Sequence, residues 1–177
     1  WDFRLDTLKA GSDNYLMMDS VKINGYKLET VGIKYKGNSS YNPAYVKNPI
    51  HIALDEFKSQ NYHGITDIKL GNNYADPSMM REVLAYNILN KYMDCPRSNF
   101  AAFYINNVYI GLYANDEPID KKFCGDKFSS SSNTLIKCNP IVNPGTASRC
   151  NMKFINADSS SYFNFYELKS KSGWNKF

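Results

Sequence analysis

Between Tyr15 and Tyr35 apolar and polar residues alternate around Asn24-Gly25. A period of two marks a half-buried strand, and Asn-Gly supplies the positive φ angles of a two-residue hairpin turn. The pattern predicts two antiparallel strands, the second running from Leu28 to Tyr35 and into Gly37-Asn38-Ser39-Ser40. A third strand is predicted from Pro49 through His51-Ile52-Ala53-Leu54, and a fourth from Ile65 to Leu70. The period then changes. Met80, Val83, Leu84, Ile88 and Tyr92 recur at helical spacing, which predicts one long helix from Asp76-Pro77 to about Met93 with that stripe packed on the sheet. Asp caps the first free amides there and Pro fits the first turn without losing a needed hydrogen bond. Asp94-Cys95-Pro96 ends the helix. A second hairpin follows, Phe100 to Ile105 and Val108 to Tyr113 around Asn106-Asn107.

The chain then passes through Asp116-Glu117-Pro118-Ile119-Asp120. These acids either form a crossover or start a short helix ending near Phe123, since carboxylates favour the first turn. Residues 125–151 read as an irregular loop, least structured at Ser129 to Asn133, and a last aromatic strand runs from Tyr162 to Lys169. No internal repeat is present. The whole is an α+β fold, a twisted and mainly antiparallel sheet packed on one long helix, with residues 1–177 as a single domain or part of one.

Composition narrows what such a domain does. A hydrophobic content of 43% and a charged content of 21% are ordinary for a folded domain and exclude a disordered chain. The net charge of +4 is spread without a Lys/Arg block, so nucleic acid is not an expected partner. No apolar run reaches the ~20 residues of a membrane-spanning helix. Trp1 opens on Asp2 and Arg4 with no signal-peptide pattern, which suggests that the chain starts inside a processed protein. The 14 Tyr and 10 Phe suit strand packing first, and a sugar-binding module second.

Cys95, Cys124, Cys138 and Cys150 have no C-x-x-C spacing and no nearby His pair, which argues against zinc. Three of them lie in or beside a core-poor stretch, which favours two disulfides and a secreted or surface location over four free thiols. The pairing is open. Asn38-Ser39-Ser40 fits the glycosylation acceptor pattern. His51 and His63 lack ligand spacing or a nucleophile and are expected to be structural or exposed. No GxSxG, HExxH or Walker loop occurs.

Four ordered blocks carry the sharper signal. They are Val31-Gly32-Ile33-Lys34-Tyr35-Lys36-Gly37-Asn38-Ser39-Ser40, Lys47-Asn48-Pro49-Ile50-His51-Ile52, then Leu70-Gly71-Asn72 with Asp76-Pro77-Ser78-Met79-Met80-Arg81-Glu82. The fourth is Tyr104 to Tyr113 with Glu117 and Ile119-Asp120-Lys121-Lys122-Phe123. Across residues 31–123 these blocks resemble the CotH kinase family, atypical protein kinases named for a spore coat protein. The resemblance implies a kinase amino-terminal lobe and a nucleotide, ATP with Mg or Mn, as cofactor.

Under that resemblance Gly37, Asn38, Ser39 and Ser40 approach phosphate oxygens with backbone amides and hydroxyls, flanked by Lys36 and Lys47. Lys69 competes with Lys47 for the role of phosphate-binding lysine. Glu82 would be the helix glutamate that holds a strand lysine, beside Arg81, the more distinctive family match. Glu117 would face the ribose or the adenine edge. An ordinary turn and solvated helix positions are the plainer readings of the same residues.

The family's acceptor-positioning aspartate and metal ligands belong to a carboxy-terminal lobe, which is expected to be missing from a chain that stops at Phe177. This portion is therefore expected to be inactive alone. With that lobe as intramolecular partner, the parent would phosphorylate Ser or Thr of coat, wall or secreted proteins. The rival reading is a non-catalytic surface, scaffold-associated or adhesin-like protein on the same fold.

Overall fold

A computed structural model describes residues 14–37, 40–138 and 150–176. The chain divides into two compact units, Trp1–Pro118 and Ile119–Phe177.

The first unit is a six-stranded sheet of β1 (Leu16–Ile23), β2 (Tyr26–Tyr35), β3 (Ile50–Ala53), β4 (Asp67–Gly71), β5 (Ser98–Ile105) and β6 (Val108–Asp116). Their spatial order is β1-β2-β3-β4-β6-β5. Every pairing in it is antiparallel. Both predicted hairpin turns form with the required left-handed pairs, Asn24 at φ 48° with Gly25 at 89°, and Asn106 at 49° with Asn107 at 65°.

Alternation divides the sheet into two chemically opposite faces. Val31, Ile33, Ile50, Ile52, Leu70 and Tyr113 are buried together on one, and Phe103, Ile105 and Ile110 from the second hairpin pack against them. The sheet curls over this face and supplies most of its own core. On the other face one cross-strand row runs Lys34–His51–Lys69–Asp116–Ser98 over five neighbouring strands.

The helix is shorter than its periodicity suggests. It is α1 (Arg81–Leu89), only nine residues. Asp76 does cap it, but across an intervening turn: its Oδ1 accepts from the Ser78 amide at 3.0 Å and its Oδ2 from the Arg81 amide at 2.9 Å. Met79 takes a left-handed φ of 57°, so the chain cannot be helical from Pro77 onward. At the far end Lys91 N bonds Ile88 O and Tyr92 N bonds Leu89 O, the tighter spacing of a helix running out. The stripe also fails to pack. Val83 alone is buried, while Met80, Leu84, Ile88 and Tyr92 are 45%, 45%, 56% and 82% exposed. The fold is thus α+β with a curled antiparallel sheet, and its first helix lies on β5 and β6 through a single buried side chain.

The second unit contains α2 (Lys121–Phe128), capped by Asp120, whose Oδ1 accepts from the Phe123 amide at 2.9 Å. Its two-stranded sheet pairs β7 (Ile136–Cys138) with β8 (Tyr166–Leu168). Part of the expected irregular loop is therefore ordered, and the expected long aromatic strand is a 3-10 turn, Ser159–Tyr162, followed by a three-residue strand. Tyr162, Phe165 and Tyr166 form this unit's core, where an aromatic cluster stands in for a longer sheet.

Candidate functional site

The charged row gains its chemistry from three local devices. Gly37, two residues past the end of β2, has φ 88°, and a Cβ there would stand 2.6 Å from Ser40 Oγ, so this turn favours glycine. The following loop is fixed from inside. Asn48, fully buried, donates to Asn42 O at 2.9 Å and Tyr45 O at 2.7 Å and accepts from the Asn42 amide at 2.9 Å. Asn72 at the end of β4 clasps both arms of the loop, Ser40 O at 3.0 Å and Lys47 O at 3.2 Å. Backbone carbonyls of the loop thus gain donors from two amide side chains, beside the loop's own Tyr45 N to Asn42 O bond at 3.0 Å.

Beside the clasp, Gly71 lets α1 come close. A Cβ on Gly71 would lie 3.0 Å from Glu82 Oε2. Glu82 reaches over that gap to hydrogen-bond Asp116, and burial and the Asp116 charge push its carboxyl above the usual carboxylate range. Asp116 is held in turn by Ser98 Oγ at 2.7 Å.

Lys36 faces this pair. Burial lowers its ammonium pKa, against the attraction of Asp116 and Glu82, and the like charge of Lys69 lowers it further. Burial first, then the Asp116 and Glu82 charges, also raise the Tyr86 hydroxyl. Lys36, Lys69, Glu82, Asp116 and Tyr86 therefore form one electrostatically coupled cluster. Further along the row His51 Nε2 lies 2.6 Å from Asp67 Oδ1, and His51 Nδ1 lies 3.0 Å from the Tyr15 hydroxyl. That histidine is structural, as its lack of ligand spacing suggests.

Among the anticipated residues the structure brings together Lys36, Lys69 and Glu82 beside Gly37. Lys47 goes elsewhere: its stem covers Gly111 on β6 and its Nζ sits 5.3 Å from the centre of the Tyr113 ring on the apolar side of the sheet. Arg81 is exposed with its Nε 3.6 Å from Asp76 Oδ1, tied to the turn before the helix. Both Glu117 oxygens accept from Arg97, Oε1 from Nη2 at 2.7 Å and Oε2 from Nε at 3.2 Å, a forked pair that binds the ends of β5 and β6. Asn38, with its glycosylation pattern, and Ser39 lie outside the described residues.

All four cysteines are free thiols in the structure, so the two expected bridges are not formed in it. Cys95 is buried with its Sγ 3.8 Å from Tyr86 O, where its thiol packs as a small apolar group. Among the described residues no group of three His, Cys, Asp or Glu is placed to hold a metal ion, and no helix is long and apolar enough to cross a membrane.

Asp116, Asn48 and Asn72 were not singled out as site residues by sequence reasoning. The pairing of β4 with β6, across the helix and β5, is what sets Asp116 beside Lys69.

A curled antiparallel sheet, a helix glutamate beside Lys36 and Lys69, and a glycine loop clasped next to them make a lysine–carboxylate cluster on the polar face of the sheet. The family model described as CotH kinase protein matches residues 33–176, and the chain belongs to that family. A comparison with curated proteins finds no match.

Proposed function

We propose that the protein is a CotH-type kinase component whose charged sheet face holds the phosphates of ATP. The observation that carries this reading is the cluster of Lys36, Lys69, Glu82 and Asp116 beside the Gly37 turn. Phosphoryl transfer depends on positioning and charge stabilisation, and this chain offers groups for both. Lys36 and Lys69 supply cations, and Lys36 is desolvated enough for its charge to act strongly on an anion. Gly37 leaves room for phosphate oxygens to approach backbone amides. Glu82 keeps Lys36 directed into the site.

Mg or Mn would neutralise charge on the transferring phosphate. Its ligands and the acceptor-positioning aspartate are assigned to the carboxy-terminal lobe that the family resemblance implies. The reading extends by the same resemblance to a secreted protein acting on Ser or Thr of coat, wall or secreted proteins.

Isothermal titration of the protein with ATP and Mg or Mn tests it. Binding is expected, weakened by Lys36→Ala and by Lys69→Ala and largely spared by Lys47→Ala. No nucleotide binding by the full protein, or equal loss in all three variants, would sink the assignment.

A further inference from the structure

Ile136 and Cys150 both pack against the Tyr162, Phe165 and Tyr166 cluster. Residues two apart on a strand share a face, so Cys138 points to the same side of β7 as Ile136. The cross-strand partner of Cys138 is Tyr166, part of the cluster that Cys150 packs on. Cys150 Sγ lies 2.6 Å from Phe165 O, one residue before that partner. The two sulfurs thus converge on the same end of the β7–β8 ladder.

The electrostatics agree with that placement. Burial raises the Cys150 thiol pKa, and the charge of Cys138 raises it further. Cys138 is exposed and Cys150 is partly so, whereas Cys95 is buried. A soluble oxidant reaches the first two and is excluded from the third.

We propose that Cys138 and Cys150 form a disulfide when the protein meets an oxidising thiol buffer, fastening the end of β7 to the aromatic core of the second unit. The Cys138 thiolate, the more accessible of the two, attacks one sulfur of glutathione disulfide and releases one glutathione. Cys150 then loses its proton, breaks its contact with Phe165 O and attacks the Cys138 sulfur of the mixed disulfide, releasing the second glutathione. Two electrons and two protons pass from the thiol pair to the oxidant. The proposal is independent of nucleotide binding, because none of these groups belongs to the lysine–carboxylate site.

The test is thiol mapping of the whole chain. The protein is equilibrated with excess glutathione disulfide, free thiols are alkylated, and the digest is read by mass spectrometry. One linked peptide pair, Cys138 to Cys150, is expected, with the intact mass lower by about 2 Da for the two hydrogens lost. Cys138→Ser and Cys150→Ser, each a one-atom change, should abolish the link and leave the remaining thiol alkylated or carrying glutathione. Free alkylation of both cysteines after equilibration would overturn the proposal, and so would linkage of either one to Cys95 or Cys124.

Discussion

Lys36 and Lys47 stand at the two ends of one loop, and the sheet separates them. The first extends the β2–β3 ladder through its amide, 3.0 Å from Pro49 O, and turns its ammonium to the charged face. The second lays its stem over Gly111 and its ammonium against the Tyr113 ring and Met79 Sδ. Burial lowers the pKa of both. Only Lys36 has carboxylates among the causes acting on it, and only Lys36 lies beside a helix that can hold it. Strand parity and what faces it, more than distance along the chain, therefore decide which lysine near the glycine loop meets the carboxylates.

The strongest test of this contrast is removal of each ammonium. A hydrogen bond to a charged group contributes ~1.5–3 kcal/mol, so Lys36→Ala is expected to weaken ATP by about ten- to a hundredfold. Lys47→Ala should change it by less than about threefold. Competition titrations with a fluorescent ATP analogue read both.

Next in size is the loop itself. Asn48→Ala removes the side-chain donor to Tyr45 O, one of the two donors to Asn42 O and the acceptor of the Asn42 amide, and an orphaned group costs ~1–3 kcal/mol when water does not reach it. We expect a loss of about 1–2 kcal/mol in urea unfolding, and reduced ATP affinity, because the loop that spaces the two lysines loosens. Unchanged stability would mean that the loop pairs its own backbone.

A smaller effect with a distinctive sign comes from Glu82→Gln. The folded-state pKa of Glu82 is raised, so its contribution to stability is fully present below the unfolded value and is lost as pH rises through the folded value. An amide removes that penalty. The variant is expected to be slightly more stable than the parent at pH 7, by a margin that solvent screening keeps small, while binding ATP less tightly. Thermal melts with parallel titrations check it, and loss of stability would assign Glu82 a purely structural role.

The smallest effect belongs to the far end of the charged row. The His51 hydrogen bond chiefly holds the Asp67 carboxyl below its ordinary range, so the pair stabilises the fold above pH ~4 and the gain is lost as pH falls through the folded value. In Asp67→Asn the acid limb of the stability profile should flatten, with ATP affinity near neutrality unchanged.

Much of this was legible in the residues. Asn24-Gly25 and Asn106-Asn107 encode their turns locally, because few other dipeptides accept two left-handed residues, and the strands beside them follow. Lys36 and Glu82 were candidates from their family blocks and Lys69 from its strand just before the helix, and the structure sets them together. The role of Asp116 was hidden, since its position depends on β4 pairing with β6, two strands that the chain separates with a helix and a third strand. Helix length was misread for a different reason. Met80, Leu84, Ile88 and Tyr92 have helical spacing, but Met79 stops the helix early at one end and the turns after Leu89 stop it at the other. Glu117, expected at the ribose or adenine edge, is the carboxylate that the Arg97 guanidinium grips.

The brevity of α1 has a kinetic consequence. Isolated helices below ~12 residues are marginal in water, and Val83 is the one buried residue of this helix, so it is expected to open locally at a lower free energy than the sheet. Its amides should exchange with solvent earlier than those of β2 and β3. Since Glu82 faces Lys36 only while the helix is closed, affinity for an anion at this site includes the population of that closed state. A ligand engaging Lys36 would announce itself as slowed exchange along residues 81–89, at amides it never touches.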